Sequence, residues 1–240
     1  MSKTLMTLLA AALMAGAVQA APVITPAVDP DRPAADVARD ALRKPARMLA
    51  FAGVKPGDTV IELLPGGGYF TRLLSRAVGP SGHVYAAIPD AKSTDAEPAA
   101  AAIAALPAYA NVTVIPITGL AAAPTADVIW MAQNYHDMHL SRLHVDVSGF
   151  NKLLFARLKS GGVLMLIDHV AATGAPVTET ADRLHRIDPA VARGEIVNAG
   201  FVFEDEAADL RNPNDAHTAL VFDPAIRGHT DQFVYRFRKP

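Results

Sequence analysis

Thr59-Val60-Ile61-Glu62-Leu63-Leu64-Pro65-Gly66-Gly67-Gly68-Tyr69-Phe70-Thr71 runs from an apolar strand into three glycines and directly on into a helix. A strand feeding a glycine loop and then a helix is the opening unit of a doubly wound α/β sheet. In such a sheet the first loop lies at the carboxyl edge, where ligands bind. Glycines there let a ligand approach the backbone closely, and the amides of the helix start face it. A glycine cluster alone is also what a tight turn uses, so its order has to be read. The dinucleotide motif G-x-G-x-x-G needs a third glycine where Thr71 stands. An acid, Glu62, instead closes the strand just upstream of the glycines.

On either side of this unit the pattern keeps alternating. Strands are predicted over 59–64, 83–88, 112–117, 127–132, 163–168, 201–204 and 232–238. Helices are predicted over 69–78, 96–105 and 147–158, and over most of 180–199. Strands alternating with helices predict a largely parallel sheet covered on both faces, a Rossmann-like architecture. A long polar segment with Pro and Asn, 205–231, precedes the last strand; connections of that length usually serve function or act as lids. Upstream, a helix from Ala34 would bury Val37, Ala41 and Leu42 and leave Asp36, Arg39, Asp40 and Arg43 outside. Pro45 should end or kink it, and 46–52 should add a short helical turn.

Three segments follow: a signal peptide over 1–20, a leader with a helix over 21–52, and one domain over 53–240. Lys3, the apolar run Leu5 to Val18, and Val18-Gln19-Ala20 before Ala21-Pro22 follow the grammar of secretory export, so a periplasmic location without stable membrane insertion is expected. Lys and Arg number 22 against 24 Asp and Glu, a balance that leaves no electrostatic footprint for nucleic acid. There is no cysteine, which removes thiol nucleophiles and thiolate ligands.

Glu62 followed by Pro65-Gly66-Gly67-Gly68-Tyr69 resembles motif I of the class I S-adenosylmethionine-dependent methyltransferases, and the Gly-Tyr step is similar to their isoaspartyl-repair branch. Gly79-Pro80-Ser81-Gly82-His83-Val84-Tyr85 looks like the turn into strand two of that superfamily. Asp127-Val128-Ile129-Trp130 looks like its fourth strand. Leu158-Lys159-Ser160-Gly161-Gly162-Val163-Leu164 and Ala199-Gly200-Phe201 look like the approaches to its fifth and sixth. The resemblance covers about Pro45 to the C terminus. It implies a doubly wound sheet with an antiparallel last strand, S-adenosylmethionine as cofactor, and methyl transfer to a small-molecule acceptor. It also implies that Glu62 holds the cofactor's amino group while Gly66, Gly67 and Gly68 pass beneath its ribose, with Pro65 and Tyr69 beside them. The chain departs from the pattern at Leu64, where the first motif glycine would be. It departs again at Ile88, where an acid usually grips the ribose; Asp90, two residues on, is the available substitute. Thr118-Gly119 replaces the acid that often meets adenine. The leader, Arg32-Pro33 with Asp36, Asp40 and Arg43-Lys44-Pro45, resembles a family of exported "predicted methyltransferases".

Chemistry is expected after strand four, in Gln133-Asn134-Tyr135-His136-Asp137-Met138-His139, and at the end of strand five, in Asp168-His169. Methyl transfer needs aligned reactants and removal of one proton. His136 is the preferred base, with Asp137 orienting it and Asn134 and Tyr135 contacting cofactor or acceptor. The competing reading makes this segment a helix start capped by Asn134 or Asp137. Metal ligation ranks lower because no fixed ligand spacing is present. Asn134, Asp137 and Asp168 would suit magnesium, whereas His136, His139 and His169 would suit a transition metal. His185 lies in the segment that in the resembling superfamily often faces the acceptor, although a surface histidine is the favoured reading, and His217 and His229 lie in the long connection, where they could line a lid. No serine has nucleophile-elbow context. Two other functions compete: an accessory ligand-binding protein that has lost catalysis, which Ile88 favours, and a nicotinamide oxidoreductase, which Thr71 disfavours.

Overall fold

β1 (Thr59–Leu63) lies inside a seven-stranded sheet and pairs in parallel with β2 (His83–Ile88) and β4 (Ala126–Ala132). The order is β3-β2-β1-β4-β5-β7-β6, with β3 (Val112–Pro116) and β5 (Leu158–His169) parallel to their inner neighbours. β7 (Gln232–Arg238) runs antiparallel to both β5 and β6 (Val202–Glu206). The structure is a computed structural model and describes residues 29–90 and 96–240. The expected signal peptide lies outside the described residues. Among them, no helix is long and apolar enough to cross a membrane.

Two apolar layers sandwich the sheet. On one face Val60, Trp130 and Met165 pack with Met48 and Leu49 of α3 (Pro45–Ala52) and Leu73 and Leu74 of α4 (Tyr69–Val78). On the other, Ile61, Leu63, Ile129 and Phe237 pack with Leu154 of α6 (Val147–Arg157) and Ile196 of α8 (Pro189–Asn198). α5 (Ala96–Ala104) contributes Ile103 to the first layer. Strand alternation puts Glu62 on the same face as Val60, so a carboxyl group occupies a site that periodicity assigns to a hydrophobe. It is 2% exposed.

Three expectations need correction. The region 180–199 is not one helix: α7 (Val177–Leu184) stops at His185, which is left-handed (φ 53°), and α8 begins four residues later. Pro189 occupies the first position of α8 and lacks an N–H, and Asp188 caps the helix by accepting from Ala190 N at 2.9 Å. The fifth strand begins at Leu158 rather than 163, because Leu158 pairs with Ala126 of β4 across a register shift and Gly161 and Gly162 exchange backbone bonds with Lys239. Third, the leader is turned over. It forms two short turns, α1 (Ala34–Val37) and α2 (Asp40–Arg43), broken from α3 by left-handed Lys44, so that Pro45 begins a helix instead of ending one. Val37 and Leu42 face outward and Asp36 and Arg32 are buried. Specific partners overrode periodicity: Arg32 pairs with Asp40 at 2.6 Å, and Asp36 accepts from Arg72 of α4 at 2.9 Å.

Candidate active site at the carboxyl edge

A cavity of about 330 Å³ opens over the carboxyl ends of β1, β4 and β5. The loop after β1 forms one wall. Leu64, where the first motif glycine was expected, adopts the left-handed backbone (φ 53°), and its N–H donates to Ala87 O at 2.8 Å. That conformation costs a leucine roughly 1–2 kcal/mol, so the turn is kept in spite of the side chain. A Cβ on Gly66 or Gly67 would meet nothing within 4 Å. Gly68 is held at φ 77°, a conformation that favours glycine, and a Cβ there would also displace the tip of Ile103, 2.0 Å away. Beneath this loop Glu62 Oε2 is buried with no hydrogen-bond partner among the described residues. Burial pushes the Glu62 carboxyl up to about 7, against the smaller opposing pull of the Thr71 hydroxyl and the Arg72 charge.

The opposite wall comes from the ends of β4 and β5. Gln133 is also left-handed (φ 64°), held by its N–H to Ile167 O at 2.7 Å. A short 3₁₀ turn, His136–His139, follows. His136 is 2% exposed, and Asp168 reaches it twice: Oδ2 accepts the His136 backbone N–H and Oδ1 faces ring Nδ1, both at 2.7 Å. Ring Nε2 lies 3.2 Å from His185 Nδ1 and 3.3 Å from Asp137 Oδ1. Burial alone would lower the His136 pKa, but the carboxylates of Asp168 and Asp137 outweigh it and push it up to about 10. Burial works on Asp137 in the opposite sense, yet bonds from His136, His185 and Asn134 hold it well below the usual carboxylate range.

The site therefore gathers Glu62, Pro65, Gly66, Gly67, Tyr69, Asn134, His136 and Asp137 around one space. Other expected residues lie elsewhere. Tyr135 turns into the core, where its hydroxyl donates to Glu195 Oε2 at 2.9 Å and accepts from Asn151 Nδ2 at 2.7 Å. Asp90 is exposed and accepts from Thr118 Oγ1 at 2.6 Å, outside the cavity lining. His139 meets Glu195 at 3.1 Å. His169 reaches the cavity lining, but its Nδ1 is engaged with Thr230 Oγ1 at 2.7 Å, and burial pushes its pKa down to about 4. His185, expected on the surface, lines the cavity in its left-handed turn between α7 and α8.

Sequence reasoning missed the leader's contribution. Arg39 and Arg43 line the cavity, and both guanidinium groups stack on the Tyr69 ring at 4.9 and 4.7 Å, while Tyr69 donates its hydroxyl to Asp40 at 2.6 Å. Arg43 donates to Gln133 Oε1 at 2.6 Å and has no carboxylate partner among the described residues. The charge run from Asp36 to Arg43 was visible in the sequence; the buried surface it seals was not. The long connection between β6 and β7 roofs the cavity with Val221 and Phe222, the latter 4.9 Å from the His185 ring. Arg186 and Asp215 anchor it as a buried pair at 2.8 Å.

No protein-family model matches the chain, and no curated protein matches it by sequence. Solved structures do share its fold. A SAM-dependent methyltransferase from Aquifex aeolicus superposes with a TM-score of 0.58 at 19% identity, covering 83% of this chain and 97% of that one. A cyclopropane-fatty-acyl-phospholipid synthase-like protein from Lactobacillus casei gives 0.52 at 16% identity, over 82% and 90%. Aeropyrum pernix fibrillarin, solved with natively bound S-adenosyl-L-methionine, gives 0.50 at 14% identity, over 83% and 76%. The strand order and the antiparallel β7 are those of the class I methyltransferase fold, and this chain has that fold.

Proposed function

We propose that the protein is an S-adenosylmethionine-dependent methyltransferase acting on a small-molecule acceptor. Glu62 carries this reading: a buried carboxyl group with one oxygen, Oε2, unpaired among the described residues, on the face of β1 that should be apolar, beneath a glycine loop with open space above it. Leaving such a group unpaired is costly, and an ammonium group of a ligand would satisfy it. S-adenosylmethionine has that ammonium at its methionine end, and supplies an activated methyl group when bound. Gly66 and Gly67 would let it approach the backbone, and Arg43 stands across the cavity as a cation for a carboxylate. Asp90 is the acid nearest the expected ribose position in sequence.

The acceptor belongs at the opposite wall, between Asn134, His136 and Asp137. These side chains orient its nucleophilic atom toward the methyl donor. Asp168 fixes the ring of His136 and is a positioning residue. We also propose that residues 1–20 direct export, which the N-terminal sequence of the protein recovered from cells would check. Calorimetric titration with S-adenosylmethionine and S-adenosylhomocysteine tests the main reading. Micromolar binding of both supports it; no heat at millimolar cofactor overturns it.

A further inference from the structure

We infer that His136 Nε2, His185 Nδ1 and Asp137 Oδ1 form a binding site for one divalent transition-metal ion of the zinc type, with an open position facing the cavity. The three atoms are 3.2, 3.3 and 3.5 Å from one another. Ligands bound tetrahedrally at about 2.0–2.1 Å are separated by roughly 3.3 Å, so the triangle already has the dimensions of one tetrahedral face. Two imidazoles and one carboxylate are a donor set that transition metals take readily, and three protein ligands with a vacant fourth position are the pattern of catalytic rather than structural zinc.

What lies behind the ligands supports the assignment. The far nitrogen of His136, Nδ1, is bonded to the fully buried Asp168 carboxylate, which directs Nε2 into the trio. Asp137 turns its second oxygen, Oδ2, to Asn134 Nδ2 at 3.2 Å and leaves Oδ1 for the trio. A histidine backed by a carboxylate and a ligating carboxylate backed by an amide are the outer-shell bonds that orient metal ligands. His185 is delivered from a different element, on a left-handed residue between two helices. The trio lines the same cavity as Glu62, so the open position would meet an oxygen of whatever occupies it.

This site does not depend on the cofactor half of the methyl-transfer reading, because none of its ligands belongs to the glycine-loop wall; it shares His136 and Asp137 with the acceptor wall, where a bound ion would hold the acceptor. The test uses full-length protein without a histidine tag, stripped with chelator and titrated with cobalt(II) and zinc(II) chloride. One equivalent should bind, with visible cobalt bands of tetrahedral intensity, and X-ray absorption of the zinc form should count two imidazoles. His185→Asn keeps a residue that tolerates the left-handed backbone, and it should lose at least about 10–100-fold in affinity, the range for disturbing even an outer-shell partner. Glu62→Gln should bind metal like the wild type even if it no longer binds cofactor. No stoichiometric uptake would mean a hydrogen-bonded cluster only, and binding that survives His185→Asn with fewer than two imidazoles would place the ion elsewhere; either result overturns the proposal.

Discussion

The two walls of the cavity are built on opposite plans. The wall after β1 is backbone, two open glycines and one carboxyl group with a buried oxygen, Oε2, that has no partner among the described residues. The wall from β4 and β5 is a network of side chains in which His136 touches Asp168, Asp137 and His185 at once. A wall with an unmet demand gains directly from a ligand that meets it. A wall that already satisfies itself must give up one contact for each it makes, so it selects by exchange. Removing a group should therefore cost stability on the second wall and ligand affinity on the first.

Asp168→Ala should show the largest effect. It strips three contacts, to His136 N, His136 Nδ1 and His169 N, each at 2.7 Å, and leaves the buried His136 ring with Asp137 as its one remaining carboxylate neighbour among the described residues. A loss of about 3–5 kcal/mol in urea unfolding is expected; a loss below about 1 kcal/mol would break the comparison, since the network would then be slack. Glu62→Gln should leave stability unchanged or raised at neutral pH while weakening S-adenosylmethionine binding about 10–100-fold, the worth of one charged hydrogen bond.

The pH dependence sharpens the same contrast. The folded pKa of Glu62, about 7, lies above its ordinary 4.5. Its proton-linked stability is fully present below about pH 4.5 and is lost as pH rises through about 7, and Glu62→Gln should abolish that slope in unfolding experiments across the range. Cofactor affinity should run the other way, falling about tenfold per unit below pH 7 in the wild type and staying flat in the variant. The smallest effect belongs to Asp90→Ala, which removes an exposed bond to Thr118. A change in cofactor affinity of less than about threefold is expected, in keeping with a surface interaction; a larger one would bring the ribose to Asp90.

The fold was legible because it rests on local rules. Strand–glycine–helix order at 59–71 and the later alternation led to the sheet, and Glu62 stood out as an acid closing the strand just before the glycines. Asn134, His136 and Asp137 could be picked out because they follow a strand at its carboxyl end. What was illegible depended on partners far away in the chain. Tyr135 sits beside His136 in sequence, yet Glu195 and Asn151 draw its hydroxyl away from the cavity. His185 looked peripheral until the break before Pro189 aimed it at His136. The leader misled because its charges, which periodicity places toward solvent, had Arg72, Tyr69 and Gln133 waiting for them.

Leu64, Gln133 and His185 are all left-handed without being glycine, and all three line the cavity. Each holds back roughly 1–2 kcal/mol that a glycine or asparagine would release. Selection for heat resistance alone, blind to activity, should therefore return to these three codons early, and its winners would trace the floor of the site more directly than a search for lost function.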